Sequence, residues 1–180
     1  MLPLRAPPRG RGGPRSPGAD GAGGGAQGYV VKQQLLCASP RAGARAGCLV
    51  SGPLWNVRPG HYAAEFFLRA RHADHSPLSS APGPPLPPGE LAAVSAWDCG
   101  AELPGADAAP RERIEHAGGR TGTRLAARAL HAADFAAGGN SFTRVALRVE
   151  VASAANQLEL RLVWRARAAL DVAFLALRDA

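Results

Sequence analysis

TRVALRVEV, running from Thr143 to Val151, places an aliphatic side chain at every second position with mostly charged residues between. That is the period of a strand with one buried and one wet face. LELRLVW, from Leu158 to Trp164, repeats the device, with Leu158, Leu160, Leu162 and Trp164 alternating with Glu159, Arg161, Val163 and then Arg165. The polar stretch from Ser153 to Gln157 suits a hairpin loop between them. A third segment, Leu170 to Leu177, follows almost at once. The alternation assigns Val145, Leu147, Val149 and the Leu158 to Trp164 row to a core, and Arg144, Arg148, Arg161 and Arg165 to a solvated face. Each buried Val or Leu contributes roughly 1.5 to 3 kcal/mol, so this inward row is a substantial part of the hydrophobic term.

Working outward from these segments, the preceding chain breaks into short pieces of the same kind. Tyr29 to Cys37 begins with β-branched and aromatic residues, and Ala46 to Ser51 is a plausible short partner strand. Gly52 to Gly60 is a punctuated loop in which Pro59-Gly60 is set for a tight turn, Pro fixing φ and Gly supplying positive φ. His61 to Arg71 follows as a strand with Tyr62, Ala64, Phe66 and Leu68 on one face. Phe67 breaks the alternation there and predicts a strand covered on both sides. Residues 72 to 89 contain six prolines and read as a long surface loop. Leu91 to Cys99 returns to the sheet, Arg111 to Ala117 suits an edge strand, and Gly118-Gly119 makes the next turn. Thr123 to Ala137 fits a helix by its alanines and a strand by its alternation; a strand to about Leu130 and then a helical turn through Asp134-Phe135 is expected, because strands flank it. Leu170 to Leu177 carries the same ambiguity and is likewise expected to be a strand. About eight short strands joined by Gly, Pro and Asn turns predict an all-β, antiparallel β-sandwich of jelly-roll type.

At 180 residues with 46% hydrophobic composition, one domain with a proper core is the default. Residues 1 to 27 form a Pro/Gly/Arg-rich tail with too little apolar surface to offset its ordering entropy, so disorder is expected there, with residues 28 to 180 as the sandwich. The formal charge is +7, but only Lys32 among the 21 basic residues is lysine, a bias resembling GC-rich coding. Arg5, Arg9, Arg11 and Arg15 against Asp20 leave +3 of that charge in the tail. The remaining arginines are spread through strands rather than clustered among aromatics, which argues against nucleic acid. No apolar run has the length of a membrane span or the pattern of a signal peptide, so a cytoplasmic protein without membrane contact is the simplest expectation. Cys37, Cys48 and Cys99 are odd in number and lack paired CxxC spacing, so buried or incidental thiols are expected rather than zinc ligands.

No GxSxG, Walker A loop or HExxH motif is present and no GxGxxG follows a strand, so a noncatalytic protein without cofactor is expected. The densest polar cluster, His72-x-Asp74-His75, opens a Pro-rich loop that offers a metal no rigid geometry. Of the three tryptophans, Trp164 falls in phase with the leucine row and belongs to the core. Trp97, beside Asp98, suits core or rim. Trp55 lies in a loop flanked by Asn56 and Arg58, where an exposed indole would cover the apolar face of a pyranose while its polar neighbours take the hydroxyls.

Gly52-Pro53, Val57-x-Pro59-Gly60-x-Tyr62, Asp134-Phe135 and Leu158-Glu159-x-Arg161-x-x-Trp164, followed by an alternating last strand, resemble a bacterial carbohydrate-binding-module-like β-sandwich. The resemblance spans about Tyr29 to Leu177. It implies a galactose-binding-like jelly roll of the kind appended to glycosyltransferases and methyltransferases of surface-polysaccharide pathways. Its partner would be a glycan or a glycan-processing enzyme, contacted through Trp55, Asn56, Arg58, Trp97 and Asp98. The chain departs from the pattern at Leu54, where an aromatic is usual and Trp55 comes one place later. It departs again at Ala173, where related modules carry an acid that helps hold a structural calcium; Asp171 and Glu65 are the nearest acidic candidates. The alternatives are a structural or protein-interaction sandwich and, third, a jelly-roll hydrolase, which needs carboxylates or a metal triad converging in one cleft.

Overall fold

The computed structural model describes residues 29–31, 36–40, 44–52, 54–74, 81, 83–100, 111–114, 117, 119–135, 141–152 and 157–180. The tail expected to be disordered lies outside them, as does His75. Among the described residues ten strands run in the order β1 (Tyr29–Val31), β2 (Leu36–Ala38), β3 (Gly47–Ser51), β4 (Gly60–Arg71), β5 (Glu90–Asp98), β6 (Glu112–Arg113), β7 (Thr121–His131), β8 (Thr143–Val151), β9 (Leu158–Trp164) and β10 (Ala169–Asp179). They form two antiparallel sheets. Sheet A has the order β1-β10-β4-β8, with β2 also on β10, and sheet B has the order β3-β9-β5-β7-β6. Without the short β1 and β6 this leaves the eight-strand jelly roll anticipated from the pattern.

The ambiguous segments resolve as strands. β7 spans Thr121–His131 and ends in a single 3-10 turn at Ala132–Asp134, and the last segment is β10. Tyr29 to Cys37 divides into β1 and β2. The edge strand expected over Arg111 to Ala117 shortens to Glu112–Arg113. The positive φ expected at Gly60 lies instead at Gly52, with φ +100°, while the turn before β4 is held by the Tyr62 hydroxyl, which donates to the Arg58 carbonyl at 2.7 Å.

The core lies between the sheets. Tyr62, Ala64, Phe66, Leu68 and Ala70 of β4, Val145, Leu147, Val149 and Val151 of β8, and Leu158, Leu160, Leu162 and Trp164 of β9 all point into it and are buried. Trp164 is therefore core, its indole N–H satisfied by the Ala168 carbonyl at 2.8 Å. A register shift between Val172 and Phe174 resets the alternation of β10, so that Asp171 sits opposite Arg69 and Phe174 opposite Phe67 on the outer face of sheet A. This explains the broken alternation at Phe67, whose ring stacks on Phe174 with centroids 4.0 Å apart.

Candidate functional site

The site grows from the register of sheet B. β5 lies between β9 and β7, and its outward residues meet neighbours on both sides: Trp97 faces Glu159 and Arg124, Ser95 faces Arg161 and Ala127, and Ala93 faces Val163 and Ala129. The middle of this outer face is floored by Ala93, Ser95, Ala127 and Ala129, side chains too short to fill the space between their taller neighbours. A groove of about 190 Å³ results, with Trp97 and Ile114 toward one end and Glu90 and Arg165 toward the other. The Trp97 indole N–H donates to the Ser95 hydroxyl at 2.8 Å, and the Arg124 guanidinium lies 5.7 Å from the ring centroid, a cation–π contact. Arg165 donates from Nε to Glu90 at 2.6 Å. The groove thus joins an indole, a hydroxyl, guanidiniums and a carboxylate over a smooth apolar floor, a combination suited to a ring-shaped, hydroxyl-rich ligand.

Beside Trp97 the sheet carries a buried ionic cluster. Glu159 is 0% and Arg161 2% exposed, which corrects the expectation that Arg161 decorates a solvated face. Their side chains are two residues apart on one strand and so share a face, where the Arg161 Nη1 donates to Glu159 at 2.6 Å. Glu159 also accepts from the Ser51 hydroxyl at 2.5 Å and from Arg120 Nη1 at 2.7 Å, and the Cys99 thiol lies 3.4 Å from its second oxygen. Burial pushes the Glu159 carboxyl up, but the hydrogen bonds from Ser51, Arg120 and Arg161 outweigh it and hold the net value below the ordinary one. A carboxylate held this way joins β3, β9 and the turn before β7; it is an ionised acceptor and a poor proton donor at neutral pH.

The residues singled out in the sequence do not form one cluster. Trp55 makes an isolated bridge to Leu158, with reciprocal backbone hydrogen bonds of 2.9 and 2.8 Å, and its half-buried indole packs against the core rather than standing exposed. Asn56 and Arg58 are exposed in the loop that follows. Asp98 also pairs with Leu158, from the other side, and its carboxylate accepts from the backbone N–H groups of Gly100 and Gln157, a turn-stabilising role. Residues opposite one another across a ladder share a face, so Trp55, Leu158 and Asp98 lie on the core side while Trp97 lies on the outer side. The first three mark one end of the sandwich, and only Trp97 borders the groove. Arg124, Arg161 and the alanine floor were missed. The one sequence signal for the ionic part was opposite charges two apart, Glu159 and Arg161, inside an unbroken leucine row.

The acidic candidates for calcium are taken up by arginines. Asp171, 0% exposed, binds Arg69 and Arg71 at 2.9 to 3.1 Å, and Glu65 binds Arg144 and Arg178. Burial raises the Asp171 carboxyl, and the hydrogen bonds from Arg71, Cys37 and Arg69 more than reverse this, leaving it below its ordinary value. Two guanidiniums on each acid supply the positive charge that a metal would otherwise bring. His72 and Asp74 approach only to 3.7 Å on the surface, and among the described residues no group of three His, Cys, Asp or Glu side chains is placed to hold a metal. Cys37, Cys48 and Cys99 are free thiols. Among the described residues no helix is long and apolar enough to cross a membrane.

No protein-family model matches the chain, and no curated protein matches it.

Proposed function

We propose that the chain is a noncatalytic β-sandwich module that recognises a glycan in the groove on the outer face of sheet B. In this reading it acts in the cytoplasm beside an enzyme of glycan or surface-polysaccharide assembly. The observation that carries the reading is the alanine-floored groove of about 190 Å³ with Trp97 at its end, smaller than a drug-sized pocket and suited to a single small ring. The short alanine floor offers apolar contact to the C–H face of the ring, and the Trp97 indole, 6% exposed, closes one end. Ser95, Glu90 and the arginines offer partners for its hydroxyls. The buried carboxylates Glu159, Asp171 and Glu65 are each engaged by arginines, which suits structural roles better than acid–base chemistry, and this supports a binding rather than a hydrolytic module. Asn56, Arg58 and Asp98, at the end of the sandwich, form a polar rim away from the groove.

A glycan array followed by titration tests the proposal. Ala127 is exposed on the groove floor, so Ala127→Trp fills the groove without touching the core and should abolish binding, while Trp97→Ala should weaken it and Trp55→Ala leave it unchanged. Undiminished binding by Ala127→Trp moves the site elsewhere, and a wild-type protein that binds no glycan overturns the function. A protein-interaction module is the second reading. It is favoured by the Phe67–Phe174 stack on the outer face of sheet A and by Phe142, 38% exposed beneath the Arg69 guanidinium.

A further inference from the structure

The two sheets present edges, and the chain treats them differently. β1 and β2 are three residues each and β6 is two. β3 is interrupted by a register shift between Cys48 and Val50, and β7, which borders sheet B beyond β6, lies against a ladder shifted twice. Short length and bulges are the usual devices that stop an edge from pairing with another chain. β8 has neither. It runs nine residues, Thr143–Val151, against β4 in unbroken register, contains no proline and points no charge inward. Among the described residues, β4 is the only strand it pairs with.

We propose that β8 is a homodimerisation edge, pairing antiparallel with β8 of a second copy of this chain about a twofold axis at Leu147, so that sheet A continues across both subunits. The sequence of the strand selects the partner. Inward and outward residues must each meet their own kind across the pair, and with Leu147 opposite Leu147 the register places Arg144 opposite Glu150 of the second copy and Arg148 opposite Ala146. Both ends then carry an opposite-charge cross-strand pair, and the exposed Phe142 comes against Ala152. Sliding by two residues one way sets Arg144 against Arg148. Sliding the other way sets Arg148 against its own copy. Arg144, Arg148 and Glu150 are all exposed on the outer face, Arg144 staying 59% exposed while it pairs with Glu65 of its own chain, so in the dimer it would bridge Glu65 and Glu150 of the second copy. The interface is isologous and closed, as expected of a twofold pair, and it is independent of the groove on sheet B and of the glycan reading.

Sedimentation velocity on the full 180-residue chain tests the pairing. The wild type should pass from monomer to dimer with rising concentration, and Glu150→Arg, which faces Arg144 with a like charge, should raise the dissociation constant by about tenfold or more. The double change Arg144→Glu with Glu150→Arg restores opposite charges in the same register and should recover the dimer. Hydrogen exchange on the wild type gives a readout that no variant can spoil: amides of β8 that point away from β4 should gain protection as concentration rises. A monomer at every concentration, a dimer indifferent to Glu150→Arg, or β8 amides whose exchange ignores concentration would each overturn the proposal.

Discussion

Glu159→Gln is the sharpest test of the buried ionic cluster, because it removes a charge while leaving the side chain's shape almost unchanged. In the native protein the carboxylate has no solvent exposure and accepts from Ser51, Arg161 and Arg120 at 2.5, 2.6 and 2.7 Å. The glutamine amide keeps one acceptor oxygen but turns an NH2 group toward a donor, so one hydrogen bond becomes a repulsive contact. It also takes the Glu159 charge away from Arg161, 2% exposed. Breaking a buried pair by altering one partner costs about 3 to 5 kcal/mol, which for a chain of this size lowers Tm by about 6 to 20 °C. Glu112→Gln is the control: its pair with Arg124 has both side chains nearly half exposed, at 44% and 48%, and such pairs contribute about 0 to 1 kcal/mol. Urea unfolding at neutral pH measures both variants against the wild type. Replacing Glu159 and Arg161 together by Met should recover much of the loss, since apolar residues of similar volume remove both charges at once. A Glu159→Gln protein within about 1 kcal/mol of the wild type would refute the reasoning, because removing one charge of a buried pair cannot be that cheap.

Stability should fall on acidification: Glu159 and Asp171 both titrate below their ordinary values in the folded state, so the native state binds fewer protons than the unfolded chain. Their contribution is complete above the unfolded carboxylate range of about pH 4 and is lost as the pH drops through it toward the lower folded values; a urea midpoint that rose or stayed constant from pH 5 to pH 3 would contradict this, and Glu159→Gln should flatten the profile. The cysteines should differ in reactivity. Cys37 is exposed, its thiol pushed up by burial first and then by Asp171, whereas burial first and then the Glu159 charge push the Cys99 thiol up to about 12. Alkylation followed by mass spectrometry at mildly alkaline pH should therefore label Cys37 first and Cys99 last, with Glu159→Gln speeding the labelling of Cys99.

The two segments that made the fold legible turned out to be different kinds of strand. β8 and β9 show the same alternation in sequence, but β8 is an edge whose outward residues Arg144, Ala146, Arg148 and Glu150 are exposed, and β9 is central and buried at all seven positions. Alternation reports chemical character, not solvent: Glu159 and Arg161 are polar, yet they pair with each other, with Ser51 and with Arg120 in burial. Asp171 was singled out as an acid, but not its role: the ladder sets it opposite Arg69, and Arg69 and Arg71 take its carboxylate. The bulge between Val172 and Phe174, which no periodicity reveals, shifts the outward face of the rest of β10 by one residue. Trp55 was misjudged because a loop residue can still form a bridge: its backbone pairs with Leu158, and that pairing turns the indole toward the core.

The alanines of β7 carry the last step. In sequence they argue for a helix, since alanine has the best intrinsic propensity, and only the flanking strands tipped the segment toward β. In the sheet, Ala127 and Ala129 stand beside Ser95 and Ala93 of β5, and four short side chains in a two-by-two block leave the space that Trp97, Ile114 and Arg165 enclose. A strand gains little from alanine, which packs poorly on a pleated surface, so local propensity and global fold conflict at this point of β7. Such conflicts concentrate where something other than stability is served. The proposed binding surface is therefore defined less by the aromatic and polar residues that a sequence advertises than by the missing bulk between them, and bulk restored at Ala127 is the change that should close it.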